Sequence, residues 1–493
     1  MQQGNQRLVG RIVVNYLDGL LARWRRSVAM SGGLACLACT LTSCAFYRAQ
    51  PLNEAVVNQA LQPLPLESVK IAVAKLDHLL LKPMLIVGQD GYTPDEIGVI
   101  AVVLSPQLRA VRDQHGLAQA QVVQAGILPN PQLSRSVDVP SGNATAAQVG
   151  TGLVKGRNSG LSWDLSALLS HRDDIAAARA NAQSVDLQIA WQEWQVAQDA
   201  RLRAFRIASL EQRLPLAREI ETGLIDNVAA IRQAFSLGHR ITADLTAATD
   251  LLSQAQTRRL SLEQSLIADR LQLNLALGQS AESTVHIKVP EDFPALEADT
   301  SASAQLLHGL ETHRLDLVAL RMGYQSQEHA LRSAVWSQFP KIGLSFNRAS
   351  DTSGIKTRGA AVGIELPLFD RRQGAVAIAR ATRQQLFDEY VLRVAEARAS
   401  VHQTLEDLAV TRVQLTTVTA SLTDLQQLAS AYDRAFSSQN ADVIAYRDAR
   451  AALATRRIEQ YQLKQDLLEL GVALEIASGR GLLSRTITRT PAT

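Results

Sequence analysis

The chain has 493 residues, of which 46% are hydrophobic, 20% charged and only 4% aromatic. This composition excludes a collagen, a disulfide scaffold and a wholly disordered chain, and its abundant Ala, Leu, Gln and Arg are typical of long helices. The net charge of +3 arises in the first 43 residues, which hold five Arg and one Asp, so that the remainder sums to −1. We therefore expect no nucleic-acid partner.

The amino terminus has the pattern of a secretory signal. A basic run at 23–26 precedes an apolar, small-residue stretch at 27–42 that is short for a membrane span. The ending Leu41-Thr42-Ser43-Cys44 resembles the bacterial lipobox, in which the Cys thiol receives a lipid and becomes the new amino terminus. We expect a signal peptide over residues 1–43 and lipidation at Cys44. The alternative is a signal-anchor helix with an incidental Cys.

The rest of the chain contains an internal repeat. Three sequence matches recur 201 positions apart in one register: 175–180 with 376–381, Phe235-Ser236 with Phe436-Ser437, and Gly278 with Gly479. We therefore predict a first repeat over 94–278 and a second over 314–479. The other segments are predicted as a lipidated tether and belt segment at 44–93, a linker or equatorial belt at 279–313, and a C-terminal tail at 480–493.

Each repeat is predicted to contain a long helical hairpin. Residues 171–234 hold a single Gly and a single Pro, which predicts one helix. At 1.5 Å per residue this helix would be roughly 95 Å long. Gly238-His239-Arg240 breaks it before a second helix at 242–277, and the second repeat has the same pattern at 372–435 and 442–477.

The helices are predicted to pack side by side, as in a coiled coil. Leu recurs at seven-residue spacing along 242–277, although Arg259 and Asp269 interrupt this apolar seam. Shorter helices are predicted at 95–126 and 314–337. In the first repeat, the two shorter helices together are about as long as the long helix, so they can stack end to end beside it.

Between the short and the long helix, each repeat has two segments in which apolar residues alternate with polar ones, which is typical of half-buried strands. The four predicted strands are Leu133–Val139, Leu161–Ala167, Ile342–Phe346 and Val362–Leu368. Their length suits tilted membrane strands, and the alternative is two small hairpins on a soluble helical protein. Four strands cannot close a barrel, and an open edge in lipid leaves backbone groups unpaired. Membrane strands would therefore require several chains to share one barrel.

Together these features resemble one family. The lipobox, the duplicated unit, and the motifs Leu128-Pro129-Asn130-Pro131-Gln132-Leu133 and Leu366-Pro367-Leu368-Phe369-Asp370 are similar to those of the TolC-like outer membrane factors, in particular the efflux lipoproteins. The resemblance covers residues 94–480. It implies a mainly α fold with a membrane β-barrel. Each chain of a homotrimer would contribute four strands to a shared twelve-stranded barrel and two hairpins to a coiled-coil-like periplasmic tunnel.

The resemblance also implies a function and partners. The protein would be the outer membrane channel of a tripartite efflux or secretion system, a passive duct that is lipid-anchored in outer membrane lipid. Its partners would be a periplasmic adaptor (a membrane fusion protein) and an inner-membrane pump. The alternative is a periplasmic helical adaptor or structural lipoprotein without a pore, although an adaptor normally has a single hairpin.

Residues near the hairpin tips are candidates for a periplasmic gate. Gly238 matches the first-hairpin turn of the family, whereas Ser438-Gln439-Asn440 stand where the second turn usually has Gly. The charged gate candidates are Arg240, Asp244, Arg434 and Asp442. The alternative is that they are solvated turn residues that form local caps.

The motifs of common enzymes are missing from the sequence. It contains no G-x-S-x-G, P-loop, H-E-x-x-H or dinucleotide fingerprint, and its nine His are scattered. The C-x-x-C of Cys36 and Cys39 lies inside the predicted signal peptide and would leave with it. We therefore expect no enzymatic activity, no cofactor and no metal site.

Overall fold

The structure is a computed structural model. It describes residues 47–62, 64–86, 91–139, 154–288, 303–437 and 443–481. The chain divides into two compact units, residues 1–62 and 63–493. The described part of the first unit holds helix α1, Glu54–Ala60. The predicted signal peptide and Cys44 lie outside the described residues.

The second unit begins with α2 (Leu66–Ala74), which precedes the first repeat. The elements of the first repeat are α3 (Pro94–Leu104), α4 (Pro106–Gly126), β1 (Gln132–Asp138), β2 (Gly156–Asp164), α5 (Ala167–Ser236) and α6 (Thr242–Ala276). The prediction of a single short helix at 95–126 is wrong, because the helix is interrupted at Ser105. Pro106 follows, and a residue before Pro is pushed away from helical dihedrals, as the ψ of 120° at Ser105 shows.

Two short helices, α7 (Ser303–Leu307) and α8 (Leu310–His313), lie in the segment predicted as a linker or belt and precede the second repeat. The elements of the second repeat are α9 (Leu315–Trp336), β3 (Lys341–Ser350), β4 (Lys356–Glu365), α10 (Gln373–Ser437) and α11 (Val443–Ser478). The predicted duplication of a strand pair followed by a long helical hairpin is confirmed.

Two of the predicted strands extend too far. β2 ends at Asp164, whose side chain accepts the Ser166 N–H at 2.9 Å, and Ala167 already begins α5. β4 ends at Glu365, just before Leu366 and Pro367. Proline has no N–H to donate to a strand ladder, so the alternation continues in sequence beyond the end of the strand.

The four strands form one antiparallel sheet in the order β1-β2-β3-β4. Leu161 of β2 lies opposite Leu133 of β1 and also opposite Phe346 of β3. The middle pair, β2 and β3, joins the two repeats. β1 and β4 are the edge strands of this sheet, so each leaves one side of its backbone without a strand partner among the described residues.

Helix α5 is the centre of the helical part. It packs against α3, α4, α6, α9 and α11, and α10 packs against α9 and α11. One apolar core joins α2, α3, α5 and α6 around Ile97, Ile207 and Leu273, while a second joins α9, α10 and α11 around Leu317 and Leu474. The first core also includes Ile458 of α11, so it links the two repeats.

The apolar seam of α6 faces α5 as its spacing predicts. Leu262, Leu266 and Leu273 are buried. The residues that interrupt the seam form ion pairs with α5: Arg259 contacts Glu221, and Asp269 lies 3.5 Å from Arg203. The interruptions are therefore polar links within the first hairpin.

The repeat extends to backbone detail. Gly278 and Gly479 end the return helices α6 and α11 with φ values of +59° and +68°. A Cβ at Gly278 would lie 3.2 Å from the Leu104 oxygen, and one at Gly479 would lie 2.8 Å from the His313 oxygen. The end of α6 thus contacts the junction between α3 and α4, and the end of α11 contacts the junction between α8 and α9.

Candidate functional site

The sheet has one apolar and one polar face. Large apolar side chains share one face and are exposed: Leu133, Leu161, Ile342, Phe346, Val362 and Ile364. The opposite face carries small and polar residues, among them Ser134, Ser162, Gly343, Ser345, Asn347 and Gly363. Such a sheet suits a boundary between an apolar medium and water.

The first hairpin tip is shaped by Gly238, whose φ of +75° ends α5. The Gly238 N–H donates to the Phe235 oxygen at 3.0 Å and the His239 N–H donates to the Ala234 oxygen at 2.9 Å, which is the Schellman pattern. Arg240 lies 3.7 Å from Asp244, so these two gate candidates contact each other within one tip.

The second tip is only partly described. Asp442 and the predicted turn at 438–440 lie outside the described residues. Arg434, near the end of α10, donates from Nε to the Ser430 oxygen of its own helix at 3.3 Å. Within one chain, the structure therefore brings Arg240 and Asp244 together and leaves Arg434 on another helix.

A ladder of polar contacts, which the sequence did not indicate, joins the two hairpins along α5 and α11. We call it the α5–α11 seam. Its steps, from the strand side to the tips, are Arg201–Glu475 (2.6 Å), Arg206–Glu469 (2.7 Å), Arg213–Gln465 (3.4 Å), Glu219–Arg450 (2.8 Å) and Asp226–Arg447 (3.2 Å). Since α5 descends to the tips and α11 returns from them, the contacts follow in antiparallel order.

The strand-side end of the seam is buried. The Arg201 side chain is 6% exposed and contacts Asp95 of α3 as well as the Glu475 side chain, which is 0% exposed. Gln198 accepts a further hydrogen bond from Arg201 at 3.0 Å. Removing one partner of a buried ion pair leaves a charge without compensation, so this end is a fixed joint between the repeats.

The tip end of the seam is more open. Arg447 and Arg450 border a cleft of about 380 Å³ between α5 and α11. Arg450 also donates to the Tyr446 hydroxyl at 2.9 Å and lies over its ring at 5.8 Å from the centroid. The side chains of Arg450 and Glu219 are 50% and 45% exposed, so this pair is weakly held compared with the buried joint.

Burial and pairing shift the pKa values of two carboxyl groups of α11 in opposite directions: Glu469, which belongs to the seam, and Asp466, one turn before it. Burial raises the pKa of the Asp466 carboxyl, against the hydrogen bond from Gln462. Burial alone would also raise the pKa of Glu469, but hydrogen bonds from Arg206 and Gln465 outweigh it and the pKa falls. The hydrogen bonds of the seam therefore favour the ionised form of Glu469.

The described residues contain no group of three or more His, Cys, Asp or Glu side chains placed to hold a metal ion. Within the described ranges, no helix has the length and hydropathy that crossing a membrane would require.

No family model and no curated protein matches the chain by sequence. Solved structures match it in fold. The Campylobacter jejuni CmeC outer membrane channel is 14% identical with a TM-score of 0.63, over 84% of this chain and 94% of that one. The open state of the Neisseria gonorrhoeae MtrE outer membrane channel is 15% identical with a TM-score of 0.61, over 83% and 96%.

A third solved structure extends the same likeness. The outer membrane protein VceC from Vibrio cholerae is 16% identical with a TM-score of 0.60, over 79% of this chain and 96% of that one. The match spans nearly the whole of each solved chain. This chain therefore shares the fold of these outer membrane channels.

Proposed function

We propose that the protein is the outer membrane channel of a tripartite efflux or secretion system and acts as a passive duct. The observation that carries this proposal is the four-stranded sheet with an exposed apolar face and a small, polar opposite face. The apolar face fits lipid and the polar face fits a water-filled lumen. The alternative, a periplasmic adaptor with a single hairpin, would not require a sheet with one face toward lipid and one toward water.

The oligomer follows from the edges of the sheet. β1 and β4 expose backbone N–H and C=O groups that lipid cannot satisfy. Three copies joined edge to edge give a closed, twelve-stranded barrel, with the hairpins continuing below it as a tunnel. The open edges require several chains without fixing their number, and the resemblance to the TolC-like outer membrane factors implies three, so we propose a homotrimer.

The partners and the anchor belong to the same proposal. The hairpin tips would meet a periplasmic adaptor and, through it, an inner-membrane pump. Lipidation of Cys44 would hold the chain in the outer membrane. Cys44→Ser should abolish the lipid-modified amino terminus. Mass spectrometry of the mature wild-type protein tests the anchor, and an unmodified amino terminus would contradict it.

The gate is proposed at the tips. Arg240, Asp244, Arg434 and Asp442 of three chains would converge near one axis. The contacts of Arg447 and Arg450 with α5 would hold the second hairpin against the first. Opening would then require α10 and α11 to move away from α5 at the tip end, while the buried Arg201–Glu475 joint stays closed.

Cysteine accessibility tests the channel directly, because Cys44 is the last Cys of the sequence. Ser345→Cys and Phe346→Cys place a thiol on opposite faces at adjacent positions of β3. In planar bilayers, a bulky, charged, water-soluble thiol reagent should lower the conductance of Ser345→Cys and leave Phe346→Cys unchanged. Equal labelling of both without any conductance would contradict the proposal.

A further inference from the structure

The two strand connections, 139–155 and 351–355, lie at one end of the sheet, which we call its loop end; the other is its helix end. At the loop end, the apolar face of the sheet carries a group of cationic side chains. Arg135, Arg348 and Arg358 share one cross-strand level, and Arg157 and Lys356 share the next level toward the loops. All five side chains are exposed. We call these five residues the basic cluster.

Arg348 is surrounded by like charges. Arg358 lies directly opposite it, and Arg157 and Lys356 occupy diagonal positions on the flanking strands. Like charges in these cross-strand positions destabilise a sheet. Among the described residues, no member of the basic cluster has an ion-pair or hydrogen-bond partner for its side chain.

No acidic residue of the described strands shares the face of the basic cluster: Asp138, at the loop end of β1, lies opposite Gly156 on the polar face. In the described strands, the ion pair Lys341–Glu365, at 3.1 Å, lies on the polar face at the helix end of the sheet. The sequence 139–155 contains no Asp or Glu. Asp351, in the other strand connection, accepts the backbone N–H groups of Ser353 and Ile355, each at 2.9 Å.

The levels next to the basic cluster are apolar. Leu133, Leu161 and Phe346 form the adjacent level, and Trp163, Leu344 and Val362 form the one after it. Successive levels are about 7 Å apart, since each is two residues along a strand. A ligand that satisfies both regions has an anionic head above apolar chains. Arg binds phosphate with paired, charge-assisted hydrogen bonds.

Resting on the proposed function, we propose that the basic cluster binds the phosphate groups of an anionic lipid in the leaflet at the loop end of the sheet. The acyl chains of this lipid lie on the apolar levels beneath. The bound phosphates relieve the repulsion around Arg348 and fix the height of the sheet in the membrane. A soluble anion would satisfy the cations but would leave the apolar levels unused.

Lipid binding by the purified, full-length oligomer tests the proposal. The protein is stripped of lipid in mild detergent and titrated with diphosphorylated lipid A, and bound lipid is counted by native mass spectrometry. Arg348→Gln/Arg358→Gln should weaken binding about tenfold or more. Arg348→Lys/Arg358→Lys should retain most of it. Arg371→Gln, an exposed Arg at the helix end, is the matched control and should bind as the wild type does.

The competitors separate the two sources of phosphate. Inorganic phosphate in excess should not displace lipid A, and dephosphorylated lipid A should bind the wild type and the Gln variant equally weakly. Displacement by inorganic phosphate, or equal lipid A binding by wild type and Gln variant, would overturn the proposal.

Conductance of the same preparations keeps this proposal distinct from the channel. If the protein conducts and the Gln substitutions do not change its lipid A binding, the lipid site is refuted and the channel is not. Charge-dependent lipid A binding by a protein that does not conduct refutes the duct alone.

Discussion

Gly479 and Gly238 both adopt left-handed backbone dihedrals, but their surroundings differ. At Gly238, with φ of +75°, no atom lies within 4 Å of the position that a Cβ would take. At Gly479, with φ of +68°, a Cβ would lie 2.8 Å from the His313 oxygen and 2.9 Å from the Arg314 nitrogen. The tip therefore requires Gly for its conformation alone, whereas the end of α11 requires it for conformation and for space.

Alanine substitutions should separate these two requirements. Gly238→Ala should lower the free energy of unfolding by about 1 kcal/mol, the cost of a left-handed L-residue. Gly479→Ala should lower it by about 3 kcal/mol or more, since backbone atoms must also shift. Thermal unfolding of the detergent-solubilised protein measures both, and equal losses would contradict the close packing at Gly479.

The pKa shifts of Asp466 and Glu469 in α11 predict opposite changes of folding stability with pH. Burial raises the pKa of Asp466 in the folded protein, so the folded state binds its proton more tightly than the unfolded chain does. Ionisation above the unfolded value of about 4 then destabilises the fold. Asp466→Asn should therefore raise the thermal midpoint near neutral pH, and this gain should disappear below about pH 4.

Glu469→Gln is the matched variant with the reverse sign. Its folded pKa is lowered, so the carboxylate stabilises the fold above the unfolded value of about 4.3, and this contribution is lost as the pH falls through the folded value. The variant should be less stable than the wild type at neutral pH, and the difference should shrink in acid. Parallel pH profiles for the two variants would refute the assignment.

At the scale of elements, α5 and α11 form a seam that is fixed at one end and weak at the other. Arg201 and Glu475 are buried, whereas the side chains of the tip-end pairs of Arg447 and Arg450 are 29–52% exposed. Each exposed pair contributes only about 0.2–1 kcal/mol. Repeated in the three chains of the proposed trimer, however, such pairs can bias two states that differ by a few kcal/mol.

Arg447→Ala/Arg450→Ala should therefore raise the conductance in planar bilayers. The variant removes both tip-end contacts between the hairpins and leaves the buried joint intact. Loss of the trimer or unchanged conductance would show that these contacts do not hold the closed state.

Arg240→Ala/Arg434→Ala is the matched variant at the tips themselves. Within one chain these residues make local contacts, so their removal should loosen the tips only if they face other chains near the axis. We expect increased conductance from the proposed gate. Unchanged conductance would show that Arg240 and Arg434 are solvated turn residues.

The element order was predictable from the sequence, whereas the seam was not. Helical and alternating patterns record which face of an element is buried, and Leu262, Leu266 and Leu273 are buried as their spacing predicts. The Arg450–Glu219 contact joins positions 231 apart. A charged residue on a helix has the same local pattern whether water or a distant partner solvates it, so periodicity cannot reveal the pair.

At the scale of the whole molecule, the helices and the sheet have different sources of stability. Each hairpin packs within one chain, and α5 and α11 join the two hairpins of that chain. The sheet has two open edges and an apolar face that is exposed in the single chain, with Leu133 81% and Val362 63% exposed. The helical part therefore packs within one chain, whereas the edge strands of the sheet would gain their partners from the neighbouring chains of the proposed trimer.

This difference predicts how the proposed trimer comes apart. In mild detergent the purified protein should have the mass of a trimer by light scattering corrected for bound detergent. As denaturant dissociates it, the strand signal in infrared spectra should fall with the trimer, while the helical signal persists to higher concentration, because the strands lose edge partners that only other chains supply. A monomer that is monodisperse and retains its whole strand signal would contradict the shared barrel, whatever its helical content.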